Sequence, residues 1–128
     1  MIRERRRSTL GLAASIVMVV AVVCPWGDFQ NHTHWRNVAW VPFASGLVRW
    51  VDVVQNVLLF APLGFFAAGT NRRLLRAAAV AAPLSVVVEW TQLYSHSRFP
   101  SATDVVSNVA GALLGAGLAS WWDHRRRG

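Results

Sequence analysis

The chain has 128 residues, enough for one domain and no second. Hydrophobic residues make up 54% of it, and the net charge of +7 comes from 13 arginines against 6 acids, with no lysine. Such a balance would suit a nucleic-acid binder if the charge formed a face, but ten of the arginines fall in three short blocks separated by long apolar runs. The blocks are Arg3, Arg5, Arg6 and Arg7, then Arg72, Arg73 and Arg76, then Arg125, Arg126 and Arg127. Charge gathered at the ends of apolar runs is the pattern of membrane spans with basic cytoplasmic flanks, so no nucleic-acid partner is expected.

In chain order, the first apolar segment covers residues 9–26. Counted from Leu10 it is about 16 residues long, at the short end of what crosses a bilayer. Ser8 or Thr9 is placed to cap it and Pro25 to end it. A basic start followed by an apolar run and Cys24 invites a lipoprotein signal reading. Val23 stands where that processing requires a small residue, and Pro25 follows the cysteine, so an uncleaved first span is expected. Cys24 is alone, which excludes an intrachain disulfide and a cysteine-based zinc site.

Residues 27–49 form a long loop whose Trp35, Trp40 and Phe43, with Trp50 just beyond, suit an aromatic belt at a membrane interface. Within it, residues 38–48 are apolar, too short to span, and broken by Pro42 and Gly46, which predicts an interfacial or re-entrant segment. His32 and His34 form a His-x-His pair that suits either a metal or an ordinary exposed loop. Three further spans follow at residues 50–69, 74–94 and 103–122. Each is close to the ~20 residues that cross ~30 Å of hydrocarbon. Pro62 and Pro83 lie inside spans two and three, where membrane helices accommodate proline as a kink. A soluble four-helix bundle is excluded because spans one and four lack a broad charged face.

The arginine blocks set the direction. The N-terminus, the turn at 70–76 and the tail at 123–128 hold ten arginines, whereas the loops 27–49 and 95–102 hold only Arg36, Arg49 and Arg98. The fold class expected is therefore an all-α integral membrane bundle of four transmembrane helices, with both termini cytoplasmic and those two loops outward.

With that direction, polar residues from three spans come to one level. Asp52 and Asn56 near the start of span two, Glu89 and Gln92 near the end of span three, and Asp104 and Asn108 near the start of span four each share a helix face. Asn56, Glu89 and Asn108 fall ~8 Å below the outer interface at 1.5 Å of rise per residue. Arg98, in the short loop, hangs over them. Polar groups in hydrocarbon cost several kcal/mol each unless paired or wetted, so a cluster points to a site. Glu89 and Asp104 are candidate acid/base groups and, together, candidate ligands for a hard cation such as Mg²⁺ or Ca²⁺. Arg98 is a candidate clamp for phosphate or carboxylate, with Asn56, Gln92, Asn108 and Asp52 as further binding groups. The competing structural reading makes Glu89–Arg98 and Asn56–Asn108 interhelical hydrogen bonds worth about 0.6 kcal/mol each. Gly111-x-x-x-Gly115 reads as ordinary close packing. Ser95, His96 and Ser97 are adjacent, but adjacency is not triad geometry and no nucleophile emerges.

Val41-Pro42-Phe43, the stretch Asn56-Val-Leu-Leu-Phe60-Ala-Pro62-Leu-Gly64-Phe65, Glu89-Trp-Thr-Gln92, and Arg98 followed by Asp104, Asn108, Gly111 and Gly115 together resemble the VanZ-like family over about residues 38–117. The family comprises small multi-span proteins of the bacterial cytoplasmic membrane, named for a member associated with resistance to the glycopeptide teicoplanin. The resemblance implies that Asn56, Glu89, Gln92, Arg98, Asp104 and Asn108 are its polar signature, while Asp52, His32 and His34 lie outside that pattern. Three functions compete. The site engages or modifies a phospholipid or lipid-linked envelope headgroup at the outer face; it binds a lipid or antibiotic without chemistry; or it belongs to an ion path. The last is disfavoured because the cytoplasmic halves of spans two to four are nearly all apolar.

Overall fold

A computed structural model describes residues 2–44, 49–68 and 72–128, with side chains from Ser8 onward. Among these residues the architecture is four helices: α1 (Ile2–Val23), α2 (Trp50–Ala67), α3 (Arg73–Gln92) and α4 (Ala102–Arg127). Three of them, α2, α3 and α4, are long and apolar enough to cross a membrane; the apolar part of α1, Ser8–Val23, is shorter. α2 and α3 run unbroken through Pro62 and Pro83. Span three ends earlier than its apolar run suggested, since Leu93 and Tyr94 turn back onto the carbonyls of Trp90 and Thr91. α1 begins before Ser8, so neither Ser8 nor Thr9 caps it; the Ser8 hydroxyl instead donates to the Phe66 carbonyl at 2.9 Å. Residues 45–48 of the expected interfacial or re-entrant segment, Gly46 included, and residues 69–71 of the basic turn lie outside the described residues.

α2 and α4 form the closest pair, and the cause is the absence of side chains. A Cβ at Gly64 would collide with the Ala112 backbone, one at Gly111 with the Val57 backbone, and one at Gly115 with the Ala61 carbonyl. The glycine spacing thus brings backbones into contact, as expected of small residues at membrane helix interfaces. Gly11 of α1 similarly admits the Phe66 ring. The buried core is correspondingly small-grained, with Ala77, Ala81, Ala112 and Ala116 packed around Phe60 and Leu63. Large side chains point outward: Leu58, Leu75, Val87, Leu114 and Leu118 are all more than half exposed. In water this arrangement would be inverted; against acyl chains it needs no cover.

Two contacts bring the arginine-bearing segments to one end of the bundle. The Ser8–Phe66 hydrogen bond sets the start of α1 beside the end of α2, and Arg73 Nη2 meets Asp123 Oδ2 at 2.6 Å, joining the start of α3 to the end of α4. At the opposite end the two loops are sewn together. Gln30 and His34 donate backbone N–H groups to the Tyr94 and Leu93 carbonyls, the Ala39 N–H donates to the Pro100 carbonyl while its own carbonyl accepts the Ala102 N–H, and the Phe43 N–H donates to Thr103 Oγ1 at 2.9 Å.

Gly115→Val should lower stability by about 1–3 kcal/mol, the ordinary cost of overpacking. Gly117→Ala, with open space where its Cβ would stand, should change it by less than about 0.5 kcal/mol. Thermal unfolding of the detergent-solubilised chain measures both, and equal effects would contradict the backbone-contact account.

Candidate functional site

The site is built around the start of α4. Ser101 precedes the helix in an extended conformation, and its hydroxyl oxygen accepts the Thr103 N–H at 3.2 Å, a standard N-cap. Ser101-Ala-Thr-Asp104 also has capping-box spacing, in which the carboxylate three residues on would accept the cap residue's own N–H. That N–H is instead taken by Glu89 of α3, whose Oε2 accepts it at 2.8 Å. Glu89 thus completes the cap of a neighbouring helix, and Asp104 is left to line the recess in front of it.

The recess is a cleft of about 280 Å³ at the loop end of the bundle. Asn37 and Ala39 of the first loop, Arg49, Asp52 and Val53 at the start of α2, and Phe99–Asp104 around the start of α4 supply its walls. Arg49 Nε and Asp52 Oδ2 approach to 3.7 Å, but both are well exposed, so this ion pair is worth at most about 1 kcal/mol. Asp104 is half-buried, interacts with the Asn56 amide, and lies within electrostatic reach of Asp52 and Arg98. Glu89, 7% exposed, is within the same reach of Asp104 and Arg98.

The seven predicted residues therefore fall into two tiers. Asp52 and Asp104 line the cleft, Asn56 and Glu89 stand directly behind its lining, and Arg98 is exposed in the loop above. Asn108, one turn deeper on α4 and 1% exposed, donates from Nδ2 to Ser85 Oγ of α3 at 2.8 Å. Gln92 is buried on α3 and does not line the cleft. Two acceptors of the cluster, Glu89 Oε1 and Asn108 Oδ1, are buried without a hydrogen-bond partner.

Several contributors were not anticipated. Ser101 was legible as the first residue of a Ser-x-x-Asp capping pattern. Ser85 was not, because a lone serine in an apolar run carries no marker of its partner. Asp28 also escaped notice. Its Oδ2 accepts from the Ser97 hydroxyl at 2.6 Å, the Ser95 hydroxyl at 2.7 Å, and the Ser97 and His96 N–H groups at 2.9 and 3.1 Å. These donors, the Ser97 and Ser95 hydroxyls foremost, hold the Asp28 carboxyl well below the usual aspartate range. The same clasp brings His96 beside His32 and His34, with ring centroids 4.8 to 6.2 Å apart. Among the described residues, no three His, Cys, Asp or Glu side chains are arranged to hold a metal ion, at the histidines or at Glu89 and Asp104.

Glu89→Ala leaves the part-buried Ser101 N–H without its acceptor and should cost about 1–3 kcal/mol, whereas Glu89→Gln keeps a carbonyl there and should cost less. Thermal melts of the two variants compare them directly. The Asp28 clasp depends on ionisation. Because folding depresses its pKa, its stabilisation is complete above the ordinary aspartate value and is lost as pH falls from about 4 toward the folded value. Amide hydrogen exchange at His96 and Ser97, measured relative to the intrinsic rate at each pH, should therefore stay slow between about pH 5 and 8 and quicken in acid. In Asp28→Asn it should be fast throughout.

No curated protein and no solved structure matches this chain. A family model does: VanZ/LLP1 matches residues 10–123, taking in α2 and α3, most of α1 and α4, and every residue of the cleft. By that match over nearly its whole length, the chain belongs to the VanZ/LLP1 family.

Proposed function

We propose that this protein crosses the bacterial cytoplasmic membrane four times with both termini inside, and that its cleft faces outward to engage or modify a phospholipid or lipid-linked envelope headgroup. The carrying observation is the position of the cleft. A recess containing Asp52, Asp104 and Arg49, with Arg98 above it, opens at the ends of helices whose flanks are large exposed aliphatic side chains. A lipid lying along those flanks would bring its headgroup to the recess without leaving the bilayer. Arg98 and Arg49 are suited to phosphate, and Asp104 and Glu89 to proton transfer or to donors on the headgroup. The gathering of the arginine-bearing segments at the other end supports the orientation. The family's namesake is associated with teicoplanin resistance, and the lipid tail of such an antibiotic would meet the same outer face.

A second reading, in which the protein binds without catalysis, is favoured by a specific observation. Glu89 Oε2 and Asn108 Nδ2 are engaged in holding α3 to α4, which is interhelical glue and not chemistry.

Photoactivatable phospholipid in proteoliposomes distinguishes these readings. Labelling is expected at residues 98–104, and Arg98→Ala with Asp104→Asn should reduce it about tenfold. Mass analysis of the recovered lipid then separates the two: conversion lost in Glu89→Gln marks a modifying site, and unaltered lipid marks a binding one. Labelling spread evenly around the bundle would contradict both. Reporter fusions at the C-terminus and within 95–102 check orientation, the first expected inside and the second outside.

A further inference from the structure

The hydrogen-bonding groups around the cleft are unequal in kind. Behind its wall, four donors are engaged: the Ser101 N–H by Glu89 Oε2, one N–H of the Asn108 amide by Ser85, the Ser107 hydroxyl by the Thr103 carbonyl, and the Asn56 amide by Asp104. Acceptors remain. Glu89 Oε1 and Asn108 Oδ1, behind the lining, are buried and unpartnered in side chains more than nine-tenths buried, and the Asp104 carboxylate, within electrostatic reach of Glu89, lines the cleft together with Asp52. Glu89 stands immediately behind Ser101, which forms part of the cleft wall. The mouth has the opposite character, since Arg49 lines it and Arg98 lies within electrostatic reach of both Glu89 and Asp104. An occupant that fits both halves is positively charged and rich in N–H donors at one end and anionic at the other.

Resting on the headgroup reading above, we infer that the cleft selects a phospholipid whose phosphate carries a primary ammonium, the phosphate held by Arg49 and Arg98 and the ammonium directed to Asp104 and Glu89. An unpaired buried acceptor is costly, so a ligand that supplies an N–H donor gains more than one of equal charge that cannot. This separates ethanolamine from choline, which has the same charge but no N–H. It also separates ethanolamine from glycerol, which brings donors without positive charge.

The test uses the purified full chain in nanodiscs of phosphatidylcholine doped with phosphatidylethanolamine or phosphatidylglycerol, with retained lipids counted by native mass spectrometry. Phosphatidylethanolamine should be retained about tenfold over either of the others. Arg49→Gln should weaken retention of every phospholipid, and Asp104→Asn should remove the preference while leaving retention. The wild-type comparison needs no variant, so a misfolded variant does not blunt it. Equal retention of ethanolamine and choline lipids, still sensitive to Arg49→Gln, would overturn this inference and leave the headgroup reading intact. Retention insensitive to every cleft substitution would overturn both. A preference that appears only on adding Mg²⁺ or Ca²⁺ would overturn the ammonium assignment in favour of a bridging cation.

Discussion

The contact on which the rest depends is the meeting of α2 and α4 at their backbones. Gly64, Gly111 and Gly115 let the chains touch at Ala112, Val57 and Ala61, and no side chain larger than hydrogen fits at those three positions. The consequence reaches the site through helical periodicity. Asp104, Asn108, Gly111 and Gly115 recur at the spacing of one helix face, so the stripe that is glycine at mid-bundle becomes polar toward the loop end. Val57 touches α4 at Gly111, and its neighbour Asn56 reaches Asp104 two turns up. Tight packing below thus fixes where the carboxylate stands above. Without water to solvate stray polar groups, such placement has to be made by backbone geometry.

A second constraint concerns Glu89. A carboxyl group 93% buried in an apolar bundle is costly, and here it is compensated on one oxygen by the N–H that opens α4. The Ser101 N–H is among the orphan donors that every helix start presents, so the pairing satisfies both partners at once. It also frees Asp104 from the capping role its spacing assigns it, turning a structural carboxylate into one that faces the cleft. The loops complete the recess. The Asp28 clasp and the two backbone bonds of Ala39, to the Pro100 carbonyl and from the Ala102 N–H, hold the first loop across the second, which is why Asn37 and Ala39 can serve as walls.

The helices were legible because their signals are strong and local: long apolar runs, arginine at their ends, and proline or polar loops between. The polar residues were legible as anomalies within those runs, and direction alone brought three segments to one end. What periodicity did not contain was pairing. The competing structural reading paired Asn56 with Asn108, whereas Asn56 serves Asp104 and Asn108 serves Ser85. Rotation of one helix against another decides this, and side-chain spacing within a single helix carries no information about it. The loop clasp was hidden for a related reason. Asp28 and Ser95 are 67 residues apart and look like ordinary loop residues until the chain brings them together. The extent of α1 was misjudged because its first turns are charged, and hydropathy marks membrane depth and not helix length.

The cleft, walled by Asp52 and Asp104 and rimmed by arginine, is proposed as a headgroup site and not merely a polar joint between helices. An experimental structure of the full chain determined in native-like lipid tests it most directly. Headgroup density is expected to be bounded by Asp104, Arg49 and Arg98, with its acyl chains running down the exposed aliphatic flank. An empty cleft, with Asp104, Glu89 and Arg98 closed upon one another and lipid ordered elsewhere, would contradict it.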